Sequence, residues 1–547
     1  MQEKLSILWN RIILPTHSKE SSIDDILSLR FDDLSILEKN MSDLHDPYLM
    51  CDMERAVARI KLAKENYEKV IIFGDYDVDW VTSTSILMHL FKTLGMLVSY
   101  RLPHRVHDWY GLKQKFIDEL APLWVTLIIT VDCGSRDADI VTYAKSLWID
   151  IIVTDHHHVP EAMPDDAVAF LNPNRPDCPY PYKWLAWAWV ALKLMMAVSR
   201  EYFDDAKYLQ YLQETIDIAA VWTVADCMQL TWENRIIVAE WLKQIKNSRS
   251  RGLRRLIEDK IDEDLDADIF GFLIGPRLNA AGRMDTPYKA VNLILNNSDS
   301  LETTLREIEE LNNLRKQKTL EFVESALERI DSSHNIIMYH SADISHGIIG
   351  IVAGRLTERF YKPSIVLIDE GEKLVASCRA PEYFSMVEIL EQFKDSFITF
   401  GGHKQAAWFS ILKTDFPEFQ KNIIAEMNKR DFSVHKKELT VDKSIALDEI
   451  GFKLIASMNR FKPFGMGNKK PLFIIEWYVP EKISFLWKGR DHLKFESRYG
   501  FKIFAFWLGE YYEELKKATV FDIVFDLSED NWNGKRGIMI KIVDIVI

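Results

Sequence analysis

The stretch Val70-Ile71-Ile72-Phe73-Gly74-Asp75-Tyr76-Asp77-Val78-Asp79-Trp80 joins a short apolar run to three alternating carboxylates and then to the largest side chain available. Four consecutive apolar residues, three of them β-branched, read as a strand buried on both faces, the habit of a parallel sheet covered by helices. A helical stretch, TSTSILMHLFKTLG, follows, and then LVSYRLP (97–103), VTLIITVD (125–132) and IDIIVTD (149–155). Short β-branched runs separated by helix-length segments define an α/β architecture. In such sheets ligands bind beyond the carboxyl ends of the strands, where Asp75, Asp132 and Asp155 all fall.

Further along, residues 300–331 place Leu301, Leu305, Ile308 and Leu311, then Val323, Leu327 and Ile330, at steps of three or four. This spacing predicts one long amphipathic helix connecting two domains. Beyond it NIIMYH, PSIVLID and KLVASCR read as strands and GIIGIVAGRLTERF as a helix, so a second, smaller α/β domain is expected. After about residue 432 the pattern turns β-rich, with PLFIIEWYV, HLKFES, FKIFAFWL, TVFDIVFDL and GIMIKIVDIVI suiting a five-stranded barrel of OB type.

A chain of 547 residues is too long for one core. Its 48% hydrophobic and 27% charged content is that of a globular protein, with no run able to span a bilayer and no secretory leader pattern. Five scattered cysteines, never in CxxC spacing, argue against disulfides and structural zinc and for a reducing, cytoplasmic setting. The net charge of −14 is not the usual footprint of a nucleic-acid binder, but a carboxylate-rich metal site and a local basic groove can both hide inside such a total.

Asp75, Asp77, Asp79, Asp132, the run Asp155-His156-His157-His158, and Asp226 in TVADCM form an oxygen-rich set with imidazoles. Such donors suit Mn²⁺ or Mg²⁺ better than structural zinc. Carboxylates converging on one crevice repel one another unless cations neutralise them, and two cations can activate water for in-line attack on phosphorus. A calcium-binding EF-hand loop is disfavoured, because its obligatory Gly and Glu positions hold Trp80 and Ile86. Any one aspartate at a strand end could instead cap the next helix; the whole set is harder to explain that way.

GDYDVDWVTST, TVDCG, VTDHHHVP and VADCMQL resemble the four motifs of the DHH phosphoesterase superfamily. IGPRLNAAGRM, SHGIIGIVAGRL, GGHKQAAWFS, PFGMGNKKPLF and NWNGKRGIMIKIVDI resemble its single-stranded-DNA-specific exonucleases, from about residue 45 to the end. The resemblance implies an N-terminal segment (1–45), a DHH catalytic domain (46–230), a helical region with the long connecting helix (231–331), a DHH-associated substrate-binding domain (332–431) and an OB-fold (432–547). It implies that Asp75, Asp77, Asp79, Asp132, His156 and Asp226 hold two divalent cations, Mn²⁺ or Mg²⁺, with Asp132 bridging and His157 contacting phosphate. The implied reaction is hydrolysis of the phosphodiester nearest a 5′ end, releasing 5′-mononucleotides in DNA repair and recombination. Arg105, Arg277, Asn279, Arg283, Ser377, Arg379 and His403 would hold the strand, and Phe485 or Phe504 could stack on bases. A monomer working with a helicase and a single-strand-binding protein, away from membranes, is expected. Two other readings remain: an oligonucleotide or cyclic-dinucleotide phosphodiesterase, and an inactive single-strand-binding relative.

Of the 16 tryptophans, Trp80, Trp109, Trp148, Trp187, Trp189, Trp222, Trp232, Trp408 and Trp507 stand where the superfamily's motifs carry glycine; Trp9 has no evident glycine counterpart, and Trp532 is a family tryptophan. Glycine serves such turns by permitting positive φ and close backbone approach, which an indole would strain or crowd. A UGA codon meant as glycine but read as tryptophan would leave this signature. The alternative is real tryptophan in a diverged chain.

Overall fold

The computed structural model describes the chain apart from residues 1–3, 16–20, 75–77, 104–110, 184–186, 226–227, 246–247, 249, 261–264, 296–298, 488, 498 and 531–535. Strands β1 (Lys69–Gly74), β2 (Leu97–Arg101), β3 (Val125–Val131), β4 (Asp150–Thr154) and β5 (Ala169–Leu171) form one sheet of order β2-β1-β3-β4-β5. Every pairing in it is parallel. The continuous apolar runs are explained by two cores. Val70, Ile72, Ile129 and Ile152 point to one side, where helices Val78–Thr93 and Trp187–Arg200 pack. Ile71, Phe73, Ile128 and Val153 alternate to the other, against Phe116 and Val141. Each fully buried aliphatic side chain contributes about 1.5–3 kcal/mol. Strand β5 carries only three residues and no periodicity, which is why the sequence pattern does not announce it.

Register sets the site. Gly74 pairs with Val131 and Val131 with Thr154, so the strands end level and Asp132 and Asp155 emerge side by side.

Helix Leu301–Arg329 is a single 29-residue element, as its spacing predicts. It begins in one compact unit (Leu14–Gly282, Thr286–Glu309, Thr440–Ile547) and ends in the other (Met1–Ile13, Arg283–Asp285, Glu310–Leu439). The second unit holds a five-stranded sheet ordered Thr399–Gly402, Ala406–Leu412, Lys373–Arg379, Ser364–Glu370, Ile337–His340, with helix His346–Phe360 packed on it. Two of these strands, Thr399–Gly402 and Ala406–Leu412, are additions to the three read from the sequence.

The C-terminal segment forms a seven-stranded, mostly antiparallel sheet. It contains the five expected strands plus Lys482–Phe485 and the two-residue Lys443–Ser444, both too short to show a period. It is tied into the first unit by Arg235, whose buried guanidinium donates to the carbonyls of Phe461 (3.1 Å), Lys462 and Pro463 (3.4 Å). No helix among the described residues is long and apolar enough to cross a membrane.

Candidate metal centre

The β3 turn, Thr130-Val131-Asp132-Cys133-Gly134, is locked from within. Thr130 Oγ1 donates to the Cys133 carbonyl at 2.7 Å, and the Asp132 amide donates to the Thr154 carbonyl at 2.9 Å. Asp132 adopts a left-handed φ of 62°, a strained conformation that short polar side chains tolerate and that clusters at functional sites. Gly134, at φ 109°, would be strained by any side chain, and a Cβ there would lie 3.0 Å from both Thr130 Oγ1 and Val153 Cγ1. The turn thus presents a buried carboxylate from Asp132 at the carboxyl edge of the sheet.

The β4 turn supplies the imidazoles. Asp155 is buried, and its Oδ1 accepts from the His156 amide (2.7 Å), the His157 amide (3.1 Å) and His157 Nδ1 (2.7 Å), while Oδ2 accepts from the Ser135 amide (3.0 Å). Burial opposes ionisation of this carboxyl, but the hydrogen bonds from His157 and Ser135 outweigh it and hold the group well below the ordinary carboxylate range. An ionised Asp155 makes His157 Nδ1 the donor and leaves Nε2 with its lone pair for an electrophile. Asn172, the residue after β5, braces both turns: Nδ2 donates to the His157 carbonyl (3.0 Å) and to Ser135 Oγ (3.1 Å).

Asp132, His156 and His157 each offer a ligand atom within 4.8 Å of the others. One carboxylate and two imidazoles, partly shielded from water, fit a divalent cation. The expected ligands are therefore brought together as far as they are described. Asp75, Asp77 and Asp226 lie outside the described residues, as do Arg105 and the side chain of Asp79. Asn172, which braces the site, was not among the expected site residues, and Asp155 was expected only as one of the carboxylates at the strand ends, not as the group that orients His157. The signal available for both was their place immediately after a strand.

Trp80 is not at a left-handed turn. It is the third residue of helix Val78–Thr93, and its fully buried indole lies over Gly74: a Cβ at Gly74 would sit 1.9 Å from Trp80 Cδ1. Close approach, rather than dihedral strain, is what disfavours a large side chain here. Its Nε1 has no hydrogen-bond acceptor among the described residues.

The expected strand-holding residues are spread over both units. Arg277, on helix Gly275–Met284, is engaged by Glu309 (2.5 Å) and the Leu273 carbonyl (3.0 Å); Asn279, on the same helix, is half-buried. Arg283 donates to the Gly347 carbonyl at 2.8 Å. In the second unit Arg379 Nη1 donates to Ser377 Oγ (3.2 Å) and to the Cys378 carbonyl (2.8 Å). Gly350 makes room for that pair, since a Cβ there would come within 2.9 Å of Arg379 Nη2 and 3.2 Å of Ser377 Oγ. His403 is exposed, its amide closing the hairpin onto the Ala406 carbonyl at 2.7 Å. Phe485 and Phe504 are half-buried, Phe485 packing on Tyr512 with ring centroids 4.5 Å apart.

A parallel sheet with an aspartate and paired histidines at its carboxyl edge defines the DHH class of phosphoesterases, and residues 69–221 match the model of the DHH family N-terminal domain. Residues 333–429 match the DHHA1 domain and 441–544 the RecJ OB domain. The chain belongs to the RecJ family of single-stranded-DNA-specific exonucleases. It is 32% identical to RecJ of Salmonella typhimurium over 80% of each chain, and 33% identical to RecJ of Bacillus subtilis over 92% of this chain, spanning 65% of the length of that relative. The crystal structure of Thermus thermophilus RecJ in complex with Mn²⁺ superposes with a TM-score of 0.81 at 26% identity, covering 95% of this chain and 75% of the other.

Proposed function

We propose that this protein degrades single-stranded DNA from its 5′ end, hydrolysing phosphodiester bonds with two divalent cations and releasing 5′-mononucleotides. The observation that carries the reading is the convergence of buried Asp132 with His156 and His157 at the level ends of a parallel sheet. Solved RecJ structures are complexes with Mn²⁺ and with Mg²⁺, and the donor set here suits the same ions. Asp132 and His156 would hold cations together with Asp75, Asp77, Asp79 and Asp226. Bound cations supply positive charge for the phosphate and lower the pKa of water. His157 is fixed through Nδ1 by Asp155, and with Nε2 protonated it would donate to a phosphate oxygen. Asp132 is held by its strained turn, so the carboxylate needs no reorganisation during turnover. Arg379 and Ser377 form the anchor for a strand end in the second unit, and Arg283 and His403 add backbone contacts. A cytoplasmic monomer, supplied with single strands by a helicase and a single-strand-binding protein, fits this activity.

The test uses 5′-phosphorylated single strands, duplex controls and Mn²⁺, comparing the protein with Asp132→Ala. Metal-dependent release of mononucleotides from single strands alone is expected, abolished in the variant. Cleavage of only dinucleotides or cyclic dinucleotides would favour a phosphodiesterase, and binding without cleavage a scaffold.

A further inference from the structure

Eleven residues other than glycine have positive φ among the described residues, and six of them are tryptophan: Trp9 (62°), Trp124 (59°), Trp148 (62°), Trp232 (43°), Trp477 (59°) and Trp507 (64°). Tryptophan is only 16 of 547 residues, so a random draw of eleven would include fewer than one. Bulky side chains are outliers in this region, whereas glycine enters it freely. Three of the six, Trp9, Trp124 and Trp477, carry no motif that marks them in the sequence, so their angles are independent of any resemblance.

The local geometry is that of glycine sites. Helix Ala138–Ser146 ends with the Trp148 amide on the Lys145 carbonyl and the Ile149 amide on the Ala144 carbonyl, each at 3.0 Å. That pair of bonds is the Schellman motif, whose left-handed position is usually glycine. Helix Val78–Thr93 closes identically, Gly95 on Lys92 (3.0 Å) and Met96 on Phe91 (2.9 Å), and there the left-handed residue is a glycine at 72°. Trp477 stands inside the register shift between Ile475 and Tyr478, and a left-handed residue in an antiparallel bulge is again characteristically glycine. Trp9 lies in the turn joining strands Lys4–Leu5 and Arg11–Ile13.

The side chains gain little in return, Trp507 standing edge-on to His492 (4.5 Å) and Trp232 lying under Lys39 Nζ (5.8 Å). All six rings are between 49% and 90% exposed, although tryptophan is normally well buried. Tyr67 and Tyr361 also take left-handed angles at helix ends, so a large residue there is tolerable; six of one rare type is what requires a common cause. Trp80, pressed onto Gly74 with no acceptor for its Nε1 among the described residues, fits the same cause through crowding.

We infer that the polypeptide made in the cell carries glycine at positions 9, 80, 124, 148, 232, 477 and 507, its UGA codons being decoded as glycine. Glycines such as Gly74, Gly95 and Gly134 coexist with them as products of the ordinary glycine codons. At position 80 the exchange clears the space over the carboxyl end of β1, one strand from Asp132. The inference does not depend on the nuclease reading.

Peptide mass spectrometry of the protein isolated from the cells that encode it tests this directly. Peptides spanning positions 148, 477 and 507 should each have the mass of the glycine form. Tryptophan at any of the three would overturn the inference. A UGG codon at any of the seven positions would do the same.

Discussion

His157 Nδ1 donates a 2.7 Å hydrogen bond to Oδ1 of Asp155, the same oxygen that receives the amides of His156 and His157. One buried carboxylate therefore fixes both the tautomer of an imidazole and the path of the backbone that carries it.

Asp155→Asn should keep the fold and lose that control. An amide that keeps its oxygen toward the His156 and His157 donors turns its NH₂ onto the Ser135 amide, and it carries no charge to hold the imidazole. Metal affinity or turnover is expected to fall about 10–100-fold. Mn²⁺ titration followed by calorimetry, beside a far-ultraviolet spectrum, separates this from unfolding; unchanged affinity and rate would remove Asp155 from the site's machinery.

The Arg379–Ser377 pair predicts a split in kinetic constants. Arg379→Ala removes a charge-assisted contact to phosphate, with KM for a 5′-phosphorylated strand rising on the order of tenfold or more. Gly350→Ala, which crowds both groups, should move KM in the same direction. A substrate with a 5′ hydroxyl should respond much less to either change, and equal responses would show that the pair does not read the strand end.

Lys193 and Glu233 form a buried ion pair at 2.6 Å, with Lys193 also on the His45 carbonyl (2.7 Å) and Tyr180 on Glu233 Oε2 (2.6 Å). Lys193→Met alone leaves a buried carboxylate uncompensated and should cost roughly 3–5 kcal/mol. The double variant Lys193→Met, Glu233→Leu is expected to recover only part of that, because the Tyr180 hydroxyl and the His45 amide lose their acceptor. Denaturant midpoints decide, and a single variant as stable as the parent would show the pair is dispensable.

Asp266 links stability to pH. Burial raises its carboxyl to about 6 from an ordinary 3.8, against the pull of Lys462 and of the Phe464 and Ala267 amides. The folded-state value lies above the unfolded one, so the contribution is complete below pH 4 and is lost as pH rises through 6. A rise of that size is worth at most roughly 3 kcal/mol. Asp266→Asn should abolish this part of the profile: the parent's melting temperature minus the variant's should fall between about pH 4 and 7. A flat difference would contradict the assignment.

Trp148→Gly should stabilise the protein by about 1 kcal/mol, because it relieves a left-handed angle in a ring that packs on little. Gly95→Ala, at the matching cap of the other helix, should destabilise by about as much, and thermal unfolding of the two variants checks both signs.

How much of this was legible in the chain varies with the distance over which it is determined. Strands β1, β3 and β4 could be read because burial on both faces forces nearly unbroken apolar runs, and the long helix because its apolar residues recur every three or four. Asp132, His156 and His157 could be placed because each follows a strand. The role of Asp155 could not, since it depends on the register that sets Val131 beside Thr154. The engagement of Arg277 by Glu309 spans 32 residues of sequence and is equally silent there. Trp9 showed no glycine character in its motif context; only the turn angle reveals it.

The cap shared by Gly95 and the residue at 148 reaches beyond this molecule. Backbone dihedrals are set by hydrogen bonding and sterics, which know nothing of how a ribosome interprets a triplet. A genome's decoding rules can therefore be audited from the shape of one of its products: wherever the same aromatic letter keeps turning up in left-handed caps and bulges, the tRNA for that triplet carries the smallest amino acid.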